Sequence, residues 1–337
     1  MTRPILGKLI IYLSLTAIVA FAQTKPAFEV ATIKPSAPLD AIKLATAMQS
    51  GGKLPVGATV DGHRAEYLYL DLKSLISLAY GVKPYQVSGP DWMATERFDI
   101  EAKLPDGAAK EDAPKMLQAL LEDRFKLTSH RATAEHTVSA LVVGKDGPKL
   151  KASTEKPVPI DEDTPLKPGE VKTDGPDGQI RIKIDMTTGS SVIDMGVKGK
   201  MAYRVDPATQ SMHIDFSMTT LDGLADMMTQ LFTQLAGGVG GRRIVNQTGI
   251  TGNYDATVEL SLAELLQLAR ASGVDIPVNL PNGAGGPGGN SPLSASDPGA
   301  GSSLTDAVRS MGLKLESRKA PVDQLVIDHI EKAPTEN

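Results

Sequence analysis

Met116-Leu-Gln-Ala-Leu-Leu-Glu-Asp-Arg-Phe-Lys-Leu-Thr-Ser129 and Leu304-Thr-Asp-Ala-Val-Arg-Ser-Met-Gly-Leu-Lys-Leu-Glu-Ser317 align without a gap. Ala119 meets Ala307, Phe125 meets Leu313, and Lys126-Leu127 meets Lys314-Leu315. Both stretches read as a helix that gives way to a strand, because apolar residues first recur at helical spacing and then alternate. The likeness continues on either side. Upstream of the first lie Tyr67, the helical stripe Leu72, Leu75, Ile76, Ala79 and Tyr80, then Gly89 and Phe98-Asp99. Upstream of the second lie Phe216, the stripe Leu221, Leu224, Met228, Leu231 and Leu235, then Gly249 and Tyr254-Asp255. Downstream come the apolar runs Leu141-Val-Val143 and Leu325-Val-Ile327. A repeated unit constrains the whole architecture. The expected fold is α+β: two duplicated units, each with helices packed on a mainly antiparallel sheet. The pattern is compatible with one shared core or with two.

Local signals set the boundaries. Asp71 and Thr220 stand where an N-cap is needed to accept from free first-turn amides, and Gly81 and Gly237-Gly238 close the two stripes. Asp112 and Pro114 open the second helix. Strands are expected over 125–129, 137–143, 313–317 and 325–330. Ser261-Leu-Ala-Glu264 is a capping box for an additional helix reaching about residue 272. The predicted organisation is a signal peptide over 1–22, an N-terminal strand plus the first unit over 23–153, a strand-containing connector over 154–211, and the second unit over 212–337. The Gly/Pro/Ser-rich run 281–303 reads as a mobile loop of that second unit.

The N-terminus reads as an export signal. Arg3 and Lys8 precede an apolar run over 9–21, and Ala20-Phe-Ala22 fits a cleavage site. The run is short for a membrane span, so no stable span is expected after cleavage. Cleavage removes two basic and no acidic residues, leaving 33 basic against 40 acidic, a net charge of −7. An acidic chain offers no basic face to nucleic acid. The 337-residue chain has no cysteine, so its stability is expected to rest on apolar burial rather than on disulfides or cysteine-held zinc. The predicted location is periplasmic or secreted.

Several segments carry a family resemblance: Phe28-Glu-Val-Ala-Thr-Ile-Lys-Pro35, Leu75-Ile-x-x-Ala-Tyr-Gly81, Val87-Ser-Gly-Pro-Asp-Trp92, Arg97-Phe-Asp-Ile-Glu-Ala102, Leu120-Leu-x-Asp-Arg-Phe-Lys-Leu127 and Val245-x-x-Thr-Gly-Ile-Thr-Gly-x-Tyr-Asp255. The chain resembles a secreted, soil-associated bacterial family of unknown function, enriched in acidobacteria. A similar domain is found fused to membrane metalloproteases that resemble beta-lactam sensors. The resemblance implies export and build; it assigns no activity and no catalytic residue.

Candidate chemistry is sparse. Asp99 and Asp255 occupy equivalent positions after an aromatic, and paired carboxylates held close can share a proton. Each also fits a turn or strand-edge role. His130 and His136, with Glu135 adjacent, offer a metal site if their strands form a hairpin; solvated histidines are the plainer reading. Trp92 follows the turn Gly89-Pro-Asp91 and is either a binding anchor or a lid on the core edge. No catalytic residue and no cofactor are assigned. The leading expectation is an exported, non-catalytic binding or interaction protein of the cell envelope. It would recognise an envelope component, peptide or small ligand through an exposed strand edge or the groove between the units. The alternatives are an exported hydrolase using carboxylates or a His-based metal, and a structural envelope protein.

Overall fold

The computed structural model describes residues 25–40, 46–47, 54–161, 164–185, 187–206, 208–235, 243–261 and 302–335. The signal segment, Gly237-Gly238 and the capping box at Leu262–Glu264 lie outside them. In chain order the elements are β1 (Val30–Pro35), β2 (Gly57–Asp61), β3 (Arg64–Asp71), α1 (Leu72–Tyr80), β4 (Val87–Ser88), β5 (Arg97–Lys103), α2 (Ala113–Arg124) and β6 (Thr128–Val143). β7 (Lys151–Ala152) follows, and the connector supplies β8 (Glu170–Gly175), β9 (Gly178–Asp185), β10 (Ser190–Asp194) and β11 (Lys200–Asp206). The last third adds β12 (Ser211–Thr219), α3 (Leu221–Leu235), β13 (Ile244–Asn246), β14 (Tyr254–Ser261), α4 (Ser302–Ser310) and β15 (Leu313–His329). The class is α+β with mostly antiparallel sheets, as expected.

Helix ends follow local chemistry. The Asp71 carboxylate accepts from the Ser74 amide at 2.8 Å, and the Thr220 hydroxyl accepts from the Gly223 amide at 3.1 Å. Gly81 leaves α1 at φ 61°, a left-handed conformation that costs a side chain without a Cβ nothing. Leu72, Leu75, Ile76 and Ala79 are buried on one face of α1; Leu221, Leu224, Ala225 and Met228 are buried on α3. α4 begins at Ser302, so the last two residues of the run read as loop are helical.

Three sheets result. The first has the order β1-β5-β3-β2, the second β7-β14-β12-β11-β10-β9-β8, and the third β13-β6-β15-β4. The pairs β3–β5 and β12–β14 share one irregularity. The register shifts between Tyr67 and Leu70 in one and between Phe216 and Thr219 in the other. The bulged residues Tyr69 and Met218 have φ of 55° and 57°.

The third sheet joins the halves. β6 and β15 run antiparallel from Leu313 opposite Val143 to His329 opposite Thr128. Their far ends then cross over. β15 takes β4 of the first unit as a parallel partner, with Leu325 beside Val87. β6 takes β13 of the second, with Ile244 beside Ser139. There are accordingly two large cores, and each receives side chains from the other half. Leu325 and Ile327 enter the first, built on Leu72, Leu117 and Phe125; Leu141 enters the second, built on Phe216, Leu224 and Val308.

Two expectations are corrected here. Residues 125–129 and 137–143 are not two strands: Phe125 caps α2, and one continuous β6 spans the rest. Likewise 313–317 and 325–330 belong to a single β15. The middle of both strands is largely exposed and polar, so hydrophobic alternation fades there while backbone pairing continues. The chain leaves α2 through Lys126 at φ 53° and α4 through Gly312 at φ 71°. The residues that follow, Leu127 and Leu313, are both buried, while Leu315 is only half-buried.

Because each core contains a strand from the other half, the two should unfold together. Leu141→Ala, which damages the second core, is expected to cost about 2–5 kcal/mol. Trp92, the sole tryptophan, packs on the first core. Its fluorescence in a urea titration of that variant should shift with the same midpoint as the far-ultraviolet circular dichroism. Two separated midpoints would contradict the interlocked arrangement.

Candidate functional site

Asp174-Gly-Pro-Asp-Gly178 is a turn by composition, and it forms the tip of the β8–β9 hairpin, with Gly178 at φ 118°. β8 stands against β2, the edge strand of the first sheet, and satisfies it with side chains. The Thr173 hydroxyl accepts from the Ala58 amide at 3.1 Å and donates to the Ala58 carbonyl at 3.0 Å; the Asp174 carboxylate accepts from the Val60 amide at 2.8 Å. Gly57 permits this approach: a Cβ there would lie 2.6 Å from the Thr173 hydroxyl.

The hairpin tip separates two pockets. The inner pocket, about 270 Å³, lies between β2, β3, α1, α2 and the tip. Val60, Tyr67, Leu78, Ala113 and Leu117 line it. At its rim Lys110 Nζ sits 3.3 Å from the Asp174 carboxylate. Burial, with the negative charge of Asp174, pushes the Tyr67 phenol well above its ordinary pKa. The outer pocket, about 160 Å³, lies between the two units and is lined by Lys83, Asp177, Lys198, Asp222, Asp226 and Met227, among others. Its walls are tied by polar contacts from three parts of the chain. The Lys83 ammonium meets Asp177 of the hairpin. The Tyr85 hydroxyl donates to Asp226 of α3 at 2.7 Å, and the Arg243 guanidinium lies 4.9 Å from the Tyr85 ring centre. Burial, then the hydrogen bond to Asp226 and its charge, pushes the Tyr85 pKa up, against Arg243. Burial lowers the Lys83 pKa, Asp226 opposes this, and Lys198 adds to it. Gln179 lines both pockets, and its side-chain carbonyl oxygen is buried without a partner.

None of the candidate site residues Trp92, Asp99, His130, His136 and Asp255 lines either pocket. Trp92 is partly buried and packs over the first core; its carbonyl accepts from the Thr95 and Glu96 amides, which is the core-edge reading. Asp99 accepts from the Ser36 hydroxyl at 2.6 Å and the Tyr69 amide at 2.8 Å. Asp255 accepts from the Ser153 hydroxyl at 2.6 Å and the Met218 amide at 3.1 Å. Each carboxylate thus secures a left-handed bulge residue, and the two lie in different sheets. They do not form a dyad. His130 and His136 lie on one continuous strand, six residues apart, which is about 20 Å of rise. Both are exposed, and His130 Nδ1 is 2.9 Å from the Asp328 carboxylate. The hairpin that would bring them together does not exist. Among the described residues, no group of three or more His, Asp or Glu is placed to hold a metal ion.

The polar side chains at the two pockets, Tyr67 and Gln179 at the inner one and Lys83, Gln179 and Asp226 at the outer one, carry no catalytic or binding motif. The only local signal was the Asp-Gly-Pro-Asp-Gly turn, which announces a tip but not what the tip touches.

The chain belongs to the family described as "Protein of unknown function (DUF3738)". The family model matches residues 73–330, from α1 through β15, and leaves out β1, β2 and β3. No curated protein and no solved structure matches the chain significantly. Among the described residues, no helix is long and apolar enough to cross a membrane.

The two buried phenols give a test of the cleft electrostatics. With folded-state values above the ordinary pKa of about 10, their contribution to stability is complete below about pH 10 and is lost as pH rises through the folded values. The unfolding free energy should therefore decline on the alkaline side. Tyr67→Phe is expected to flatten that decline in urea titrations run between pH 8 and 11.

Proposed function

We propose that this member of the family is an exported, non-catalytic binding protein of the bacterial cell envelope that takes a small ligand at the tip of the β8–β9 hairpin. The observation that carries the reading is the inner pocket: a hollow with mostly apolar walls and a few polar groups in its lining, Lys110, Glu111 and Asp174 among them, the usual form of a small-molecule site. Its position also favours binding. It is walled by the first unit on one side and by the connector on the other, so a ligand would bridge two parts of the chain. The charged N-terminal segment with its apolar run and Ala20-Phe-Ala22 supports export. The resemblance to soil-bacterial proteins, and to domains fused to membrane sensors, fits a role in sensing or scavenging outside the cytoplasm.

We read the two units as copies of one ancestral segment. Tyr69 and Met218 share the left-handed bulge; Asp99 and Asp255 each secure it and each accept from a serine that directly follows a strand, Ser36 after β1 and Ser153 after β7. Each of those serines also donates its amide to the carbonyl two residues before the aspartate, Ser36 to Arg97 and Ser153 to Asn253. Convergence would have to produce the same chemistry at every one of these positions. The hydrolase alternative draws no support from this geometry, since Asp99, Asp255, His130 and His136 are held apart.

A thermal-shift and calorimetric screen with uncharged and charged fragments of about 8–15 non-hydrogen atoms tests the site. Fragments that raise the melting temperature of the wild type should lose their effect in Ala58→Leu, whose side chain grows into the inner pocket. Hits that bind the variant equally well would place the site elsewhere, and no hit at all would defeat the proposal. Export is tested by fractionating bacteria that express the full chain. The protein should appear outside the cytoplasm with a new N-terminus near Gln23; a cytoplasmic protein retaining residue 1 would overturn it.

A further inference from the structure

We propose that the outer edge of β6 over residues 130–136 is a self-association surface, pairing antiparallel with the same stretch of a second copy of this chain. The direction of the main chain identifies the edge. In a strand the N–H and C=O of one residue point to the same side, and successive residues alternate. Toward β13, the Ser139 amide donates to the Arg243 carbonyl and the Leu141 carbonyl accepts from the Gln247 amide. The register of β6 with β15 is unbroken from Leu313 opposite Val143 to Ile327 opposite Ser129. The main-chain groups of Arg131, Thr133, Glu135 and Thr137 therefore also point away from β15. β13 starts with Ile244 beside Ser139 and does not reach them. Among the described residues nothing bonds their amides or carbonyls, and all four residues are exposed.

The other edge of the same ribbon is closed. Across from Thr137, Glu135 and Thr133 stand Lys319, Pro321 and Asp323 of β15. Pro321 has no amide to offer, and the Gln86 side chain already donates to the Asp323 carbonyl at 3.2 Å. β6 has neither Pro nor Gly from Thr128 to Val143. Its free stretch of about 20 Å is the kind of edge that takes up another strand.

Charge complementarity points to a second copy as the occupant. A two-fold axis through Thr133 sets Arg131 opposite Glu135 of the second copy, and Glu135 opposite its Arg131, on one face of the joined sheet. Ala132 falls opposite Ala134, where the closer spacing of a non-hydrogen-bonded pair suits small side chains. His130 falls opposite His136, with the Asp328 carboxylate 2.9 Å from His130 Nδ1. Alternation of side chains allows the register to move only in steps that keep odd residues opposite odd ones. A single step sets Arg131 against Thr133 or Thr137, and a second step sets Arg131 or Glu135 against itself. The register centred on Thr133 is thus the one in which opposite charges meet. It forms about six main-chain hydrogen bonds through residues 131, 133 and 135 of the two copies. The Arg131 guanidinium donates to the Tyr80 carbonyl at 3.1 Å and retains further donors for Glu135.

Sedimentation equilibrium of the chain from Gln23 onward tests the proposal. The wild type is expected to be dimeric at about 100 µM. Thr133→Pro, which removes an outward amide and no bond to β15, should raise the dissociation constant about tenfold or more. Arg131→Glu and Glu135→Arg should each weaken the dimer at low salt, and the two together should restore it. Because the chain has no cysteine, Thr133→Cys places a lone thiol at the axis, at a Cα separation of about 5.5 Å that a disulfide can span. Mild oxidation should convert it to a covalent dimer faster than Thr137→Cys, which faces Ser129 in this register. Far-ultraviolet circular dichroism of each variant establishes that it is folded. A wild type that is monomeric at about 100 µM, or a dimer indifferent to Thr133→Pro and to both single charge reversals, overturns the proposal. Failure of the double reversal to restore the dimer overturns the register centred on Thr133.

Discussion

The structure depends on the antiparallel pairing of β6 with β15. One of these two long strands comes from each half, and neither stays within its own half. The end of β15 brings Leu325 and Ile327 to the first core, and the end of β6 brings Leu141 to the second. Burying a leucine side chain contributes about 1.5–3 kcal/mol. The exchange therefore supplies part of the apolar burial of each core and ties them without a disulfide. Pairing Leu325 with Arg131 joins residues on opposite sides of the connector, and folds dominated by such long-range pairing form slowly. The exposed middle of the ribbon has little to bury beyond the small cluster of Val138, Ala320 and Val322. It persists because both of its ends are anchored.

The cleft follows from the same geometry. With the units linked through β6 and β15, the connector has to run from the first core to the second. It does so by extending the second sheet outward through β11, β10, β9 and β8. The outermost strand then meets the edge of the first sheet at β2. An open edge normally invites another strand. Here Thr173 and Asp174 occupy it with side-chain hydrogen bonds, which satisfy the β2 backbone without closing the space behind it. A ladder of main-chain bonds would have drawn the sheets together and left less room for the inner pocket. Gly57 is needed for the arrangement, since any side chain there would collide with the Thr173 hydroxyl.

Much of this was legible in sequence wherever the cause is local. The caps at Asp71 and Thr220, the stop at Gly81 and the turn at Asp174–Gly178 each depend on a few consecutive residues, and each is found where the chemistry places it. That Asp99 and Asp255 each follow an aromatic was visible too, but not what they do. Their partners, Ser36 with Tyr69 and Ser153 with Met218, are distant in sequence, and only those partners distinguish a carboxylate that secures a bulge from one that does chemistry. The continuity of β6 and β15 was hidden for a related reason. Backbone pairing holds a strand together as firmly as apolar alternation does, and it leaves no mark on a polar stretch such as residues 130–137.

By itself the sequence determined the amphipathic helices α1 and α3 with their caps and the absence of any disulfide, because propensity, capping and hydrophobic spacing act over distances of a few residues. Tertiary structure alone decided that the last strands change places, that Asp99 and Asp255 never meet, and that Tyr67 and Gln179 line one hollow. Those outcomes depend on which surfaces come together when two cores are buried at once. Tyr67 and Gln179 are over a hundred positions apart, and no local pattern records their proximity.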